Sequence, residues 1–211
     1  MIIAQSEFVK SVDFAFFFII AISVFFLVLI TGLMIYFVFK YSRKKNPKAT
    51  NIHGSMPLEV LWTVIPTILV LFMFYFGWAG YKEMSNIPEN AMVVNVTAQM
   101  WKFNFKYDNG KVSDTLYVPI NKPVKVVLNS IDVNHAFYIP AFRVKKDIIP
   151  GKQNTTWFTA NEIGSHPIFC AEYCGMNHSY MYTEVVVMQE NNFLSWLNSN
   201  VTQINNVVDK K

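Results

Sequence analysis

Two thiols, an imidazole and a thioether fall within twelve residues of this 211-residue chain: Cys170, Cys174, His178 and Met181. Both cysteines of the protein lie in that run, and another histidine, His135, stands upstream of it, ahead of Pro140. A Cys170–Cys174 disulfide suits an oxidising compartment. It would close a very small loop for little entropic gain, and it leaves His178 and Met181 without a role. Zinc is satisfied by Cys170, Cys174, His178 and His135, but gains nothing from a thioether three residues beyond the last histidine. Thiolate, thioether and imidazole together favour copper. A mononuclear blue site takes one cysteine, two histidines and a weak methionine, so this set holds one cysteine too many. The surplus thiolate points to a second copper. Two cysteine sulfurs can each bridge two ions, His135 and His178 then serve one ion each, and Met181 and a backbone carbonyl supply the weak ligands. An electron shared over two bridged ions costs little reorganisation, which suits electron transfer rather than bond-making.

Such a cluster needs a rigid frame, and the pattern after residue 82 reads as short strands. Residues 91–99 are strand-like, and Trp101, Phe103, Phe105 and Tyr107 alternate with Lys102, Asn104 and Lys106, the period of a half-buried strand. Asp108-Asn109-Gly110 is a turn. Further strands are expected at 115–118, 124–129, 135–139, 155–159 and 183–188. This spacing predicts a β-sandwich or barrel over residues 91–190. Residues 82–90 read as a linker. Leu194, Leu197, Val201, Ile204 and Val208 recur at helical spacing, which predicts a short amphipathic helix in the tail, 191–211.

Ahead of that domain the chain changes character. Residues 14–39 and 60–81 carry no charge, and each is long enough to cross about 30 Å of hydrocarbon. They predict a transmembrane hairpin over 14–81. The first stretch is too long for a leader's apolar core and lacks a basic region before it, so an uncleaved anchor is expected. The loop 40–56 holds Lys40, Arg43, Lys44, Lys45 and Lys48 and no acid, which places it in the cytoplasm. Residues 1–13 and the whole of 82–211 then lie outside the cytoplasm. Tyr36, Tyr41, Trp78 and Tyr81 sit near the span ends, where headgroups favour amphipathic rings, and Pro66 should bend the second span.

Composition narrows the function. With 53% hydrophobic, 15% charged and 16% aromatic residues, the chain is neither disordered nor an ordinary soluble globule. The formal charge of +4 comes from the basic loop, since residues 82–211 hold twelve basic against eleven acidic residues. A near-neutral folded part excludes a nucleic-acid interface.

The run from Cys170 to Met181 resembles the dinuclear copper (CuA) loop of cytochrome c oxidase subunit II. So do Asp132, Asn134, His135 and Pro140 with Lys145, Asp147, Pro150 and Gly151 after them. Leu58, Glu59, Trp62 and Pro66 look like the start of that family's second span, and residues 99–107 look like its aromatic strand. The resemblance runs from the first span to about Met188 in the family's order. It implies a membrane-anchored all-β protein, in which a two-helix transmembrane hairpin precedes a cupredoxin-like Greek-key β-barrel. It implies two copper ions on His135, Cys170, Cys174, His178, Met181 and the Glu172 carbonyl, with the Glu172 side chain reaching a magnesium ion at the boundary with subunit I. Trp101 matches the aromatic at which electrons enter from cytochrome c, and Glu59 the carboxylate at the mouth of a proton channel. The implied partners are the catalytic haem–copper subunit I, other oxidase subunits, a cytochrome c donor and the lipid bilayer. The expected location is a bacterial inner membrane with the copper domain on the periplasmic side, the mitochondrial inner membrane being the alternative. Lys102 stands where the family usually has Trp or Tyr and Phe103 where it often has a second Trp, and the near-neutral domain does not support strong steering of a basic donor.

Bland readings exist for the same residues. Trp101 on a period-two strand is more often core, Glu59 at a span entrance can simply snorkel, and His166, four residues before Cys170, reads as a strand or loop residue rather than a ligand. Three other functions compete. A quinol oxidase subunit would lack the copper ligands, a copper carrier would use an open site, and a nitrous oxide reductase would lack the membrane hairpin.

Overall fold

The computed structural model describes Ser6 and residues 8–48, 51 and 53–199. The chain divides into two units, one of residues Ser11–Tyr81 and one that combines Met1–Lys10 with Lys82–Lys211.

The first unit is a pair of long helices, α1 (Val9–Lys40) and α2 (Met56–Ser85). Phe76 of α2 meets Phe14 and Phe18 of α1 edge-on, at 5.1 and 5.4 Å between ring centroids, so the start of one helix lies beside the end of the other. Apolar side chains are exposed on all sides of both helices, the pattern of segments whose surroundings are lipid or other apolar helices. Both are longer than the charge-free stretches. Lys10, Asp13, Lys82 and Glu83 end the hydrocarbon-compatible run but do not oppose helix, and no breaker follows α2 until Pro88. Pro66 lies inside α2, and on either side of it Thr63 and Thr67 return their hydroxyls to the carbonyls of Glu59 and Thr63, at 2.8 and 2.6 Å.

The second unit is a barrel of two five-stranded sheets. The strands are β1 (Met92–Gln99), β2 (Lys102–Tyr107), β3 (Val112–Ser113), β4 (Leu116–Pro119), β5 (Pro123–Ser130), β6 (His135–Ile139), β7 (Val144–Ile148), β8 (Asn154–Thr159), β9 (Gly164–Cys170) and β10 (Tyr182–Met188). One sheet runs β3-β2-β1-β5-β8 and the other β4-β10-β9-β6-β7. The pairs β1–β5 and β4–β10 are parallel. Period-two burial drives the closure. Val94, Val96 and Ala98 of β1 face inward with Phe103, Phe105 and Tyr107 of β2 and Val124, Val126 and Leu128 of β5. Phe103 meets Phe137 of β6 edge-on at 6.3 Å, joining the sheets across the core.

Trp101 is not on the strand that the alternation suggests. β1 ends at Gln99 and β2 begins at Lys102, so Met100 and Trp101 form the tight turn between them. The alternation that buries side chains begins at Phe103.

A third helix, α3 (Glu190–Asn198), closes the side of the barrel next to β4. Phe193 is buried, and Trp196 packs on Tyr107 and Tyr117 at 5.1 and 4.3 Å between centroids. Lys111 lies over the Trp196 ring at 4.0 Å and caps the helix by donating to the Trp196 carbonyl. Of the residues that predict a tail helix, Leu194 and Leu197 lie on α3, whereas Val201, Ile204 and Val208 lie outside the described residues.

Candidate metal centre

Three adjacent elements of one sheet bring the donors together. His135 opens β6, Cys170 closes β9, and Met181 directly precedes β10. The connection between Cys170 and Met181 folds back on itself: Cys170 N–H donates to the Met181 carbonyl at 3.0 Å, His178 N–H to Gly175 at 3.1 Å and Met181 N–H to His178 at 3.1 Å. A short 3-10 turn, His178–Tyr180, aims the second imidazole inward.

The two sulfurs lie 3.7 Å apart, and each has its own imidazole. His135 Nδ1 is 3.8 Å from Cys170 Sγ, and His178 Nδ1 is 3.5 Å from Cys174 Sγ. Met181 Sδ lies 3.7 Å from Cys174 Sγ, and the Glu172 carbonyl oxygen 3.2 Å from Cys170 Sγ. The donor atoms of His135, Cys170 and Cys174 all fall within 4.8 Å of one another. Ligands about 2.0–2.3 Å from one tetrahedral ion stand roughly 3.3–3.8 Å from each other, so this set has metal-ligand spacing. His135, Cys170, Cys174 and Met181 are buried. Burial and the neighbouring Cys170 thiol push the Cys174 thiol above the ordinary range. A bound cation reverses that balance, because it takes the place of the thiol protons.

His135 is oriented from behind. Its Nε2 is 2.8 Å from Asp132 Oδ1, which leaves Nδ1 facing Cys170. Asp132 also accepts the N–H of Met100 at 2.6 Å and of Val133 at 2.7 Å. Partial burial works against ionisation, but the Met100 N–H, the His135 ring and the Val133 N–H outweigh it and hold the carboxyl at about 2. Asp132 thereby ties the turn that carries Trp101, in one sheet, to a histidine in the other. Sequence reasoning assigned Asp132 no role. A carboxylate three residues before a metal-capable histidine is the pattern that would have found it.

The remaining candidates are placed as follows. Trp101 is half-buried, and its Nε1 is buried with no hydrogen-bond partner. The ring lies against Gly175, the residue after Cys174. His166 sits on β9 with its ring 5.2 Å from that of Phe142. Four residues of strand, about 13 Å, separate it from Cys170. The Glu172 carboxylate pairs with Lys145 at 2.7 Å, and Lys145 lies 3.6 Å from Asp147. Among the described residues Glu172 belongs to no group of three or more side chains with metal-ligand spacing. Glu59 lies in the first turn of α2, exposed, with Gly54 so close that a Cβ there would come within 2.8 Å of Oε1.

A cluster of thiols, imidazoles and a thioether that could hold metal, at one end of a two-sheet barrel that follows two apolar helices, defines a membrane-anchored cupredoxin-like protein. The family model for "Cytochrome C oxidase subunit II, periplasmic domain" matches residues 71–189, and that for its "transmembrane domain" matches residues 3–78. The chain belongs to the cytochrome c oxidase subunit II family and is thus a membrane-anchored subunit of a haem–copper oxidase complex, an oxidoreductase. Among curated relatives, cytochrome c oxidase subunit 2 of Thermostichus vulcanus is 28% identical over 81% of this chain and 69% of its own length. The subunit 2 of Cereibacter sphaeroides is 27% identical over the same shares. A crystal structure of the periplasmic domain of cytochrome oxidase subunit II from Bradyrhizobium japonicum matches 56% of this chain and 99% of its own, at 32% identity and a TM-score of 0.52.

Proposed function

We propose that this chain is the electron-entry subunit of its oxidase. It accepts electrons from a cytochrome c at a dinuclear copper centre and passes them to haem in the catalytic subunit, where oxygen is reduced to water with proton translocation. The observation that carries this reading is the Cys170–Cys174 sulfur pair, 3.7 Å apart with one imidazole against each sulfur. A mononuclear site has no use for the second thiolate.

The residues that would hold the ions are His135, Cys170, Cys174, His178, Met181 and the carbonyl of Glu172. Copper bound there supplies reversible one-electron exchange. The chain's own contribution is rigidity: Asp132 fixes the His135 ring, the loop hydrogen bonds fix Cys174 and His178, and burial of Met181 keeps water away from the sulfurs. Trp101, against Gly175 and half-exposed, is the contact between donor and centre. Met176, Tyr173 and Tyr180 are 88%, 80% and 75% exposed on the same loop, and offer an apolar docking rim suited to a domain without a strong charge. Glu172 would contribute one carboxylate to a magnesium ion at the boundary with the catalytic subunit.

Glu59 is proposed as the entrance of a proton path. Thr63 and Thr67 follow it at four-residue intervals along one face of α2, a polar stripe on the otherwise apolar first half of the helix. The basic loop 40–56 supports a cytoplasmic position for it, with 1–13 and 82–211 outside, in a bacterial inner membrane.

Copper analysis and low-temperature EPR of the purified oxidase test the reading. Two coppers for this chain with a seven-line hyperfine pattern, or its unresolved equivalent, are expected. A single copper, or a four-line mononuclear spectrum, overturns it.

A further inference from the structure

Trp157 of β8 is held from two places in the chain that lie outside the strands. The Phe8 ring meets it edge-on, with centroids 4.8 Å apart and planes at 86°, and its Nε1 donates to the Met84 carbonyl at 3.0 Å. Phe8 and Val9 are 1% and 2% exposed, as completely buried as the phenylalanines of the barrel core. Ser6 forms an antiparallel bridge with Ala160, and its hydroxyl donates to the Phe142 carbonyl at 3.3 Å while accepting the Phe8 N–H at 3.4 Å.

The position of these contacts explains them. β8 is an edge of its sheet, paired with β5 alone among the described strands. The chain just beyond it, at Ala160, therefore presents backbone groups on its free side. An extended segment can add there as a short extra strand. Asn121 N–H already uses the Ala160 carbonyl at 2.8 Å, and Ser6 takes the other flank. A small residue at the bridge and an aromatic two positions later fit the site, because Ala160 leaves room for the segment and Trp157 offers a flat face.

We infer that the barrel carries a recognition socket on this edge, formed by Trp157, Ala160 and Phe142, and that its occupants are the chain's own Ser6, Phe8 and Val9. The soluble domain is therefore not closed by residues 91–190. Its core is completed by residues that precede the first span, and Trp157 joins that segment to the stretch, at Met84, that leads into the barrel.

The intact chain, in detergent or bilayer, tests this. In the doubly substituted Ser6→Cys, Ala160→Cys chain, mild oxidation should link positions 6 and 160 in most molecules, whereas Ser6→Cys with Thr115→Cys, just before β4 of the other sheet, should not link. Peptide mapping separates these links from any that involve Cys170 or Cys174. Phe8→Ala should speed amide exchange in β8 by about tenfold or more, because a buried ring is lost from a locally opened edge, and leave α3 unchanged. If Phe8→Ala fails to accumulate, the cross-link decides alone, since that pair keeps Phe8. Absence of the 6–160 link, equal linking to position 115, or unaltered exchange in β8 would each overturn the socket.

Discussion

The indole of Trp101 rests on Gly175, the residue next to Cys174. A Cβ added at position 175 would come to 3.3 Å from Trp101 Nε1 and 3.4 Å from Cζ2. The same glycine has φ +120°, a conformation that other residues adopt only with strain. Both facts require glycine here, one for the backbone and one for the ring. Contact between the turn of one sheet and the ligand loop of the other thus depends on a missing side chain.

Trp101→Leu is expected to slow cytochrome c oxidation severely while the copper spectrum persists. Stopped-flow oxidation and EPR on the same sample check this. Loss of the metal signal together with the rate would show that the ring supports the fold instead. Gly175→Ala should also slow donor oxidation, and should cost about 1–3 kcal/mol through backbone strain.

Removing either cysteine sulfur should remove the proposed centre. Cys170→Ser and Cys174→Ser are each expected to abolish the dinuclear signal, because a hydroxyl is too hard a ligand and does not bridge as a thiolate does. Met181→Leu should retain two coppers and shift the potential, as a weak axial ligand tunes rather than builds a site. His166→Ala should leave stoichiometry and spectrum unchanged. Metal analysis and redox titration of the four variants read all of this.

Asp132 gives a pH dependence with a defined sign. Folding lowers its carboxyl from 3.8 to about 2, so ionisation favours the folded arrangement. That contribution is complete above about pH 4 and is lost as pH falls through 2. NMR of the Met100 amide should show it released in this window. Asp132→Asn should show weakened protection of the same amide already at neutral pH.

The packing of α3 makes a stability prediction. Trp196→Ala removes a ring lodged on Tyr107 and Tyr117 and beneath Lys111. About 3 kcal/mol of destabilisation is expected from emptying such an aromatic site. Lys145→Ala, which breaks an exposed ion pair with Glu172, should cost less than about 1 kcal/mol. Chemical denaturation of the assembled protein distinguishes the two.

The candidate metal donors were legible because they are chemically rare and close in sequence, and the helices because charge is absent from most of their length. Three strands were not. β7 reads Val144-Lys145-Lys146-Asp147-Ile148, with only its two ends buried, so no alternation marks it. β9 contains Gly164 and Pro167, both strand breakers. It tolerates the proline because it pairs with β6 only at Phe169 and Cys170, which leaves one flank open beside Pro167. β3 has two residues and offers no period at all. Trp101 was drawn into β2 by an alternation that truly starts at Phe103. The role of Ser6 and Phe8 had no local cue, since their partners are more than a hundred residues away.

The three charges along β7 have a consequence for the subunit before assembly. β7 is the outer strand of its sheet; the Asn154 amide of β8 covers its Asp147 carbonyl at 2.7 Å, and outer backbone groups left uncovered invite pairing with a second molecule. The side chains of Lys145 and Asp147 are 44% and 54% exposed, and Lys146 is exposed between them. A copy added in parallel register would bring like charges together, one added antiparallel about Lys146 would set the two Lys146 side chains against each other, and either would strip water from the charges. A subunit that emerges from the membrane ahead of its partners is thus protected against aggregation along that edge, by the residues that hid the strand from its sequence pattern.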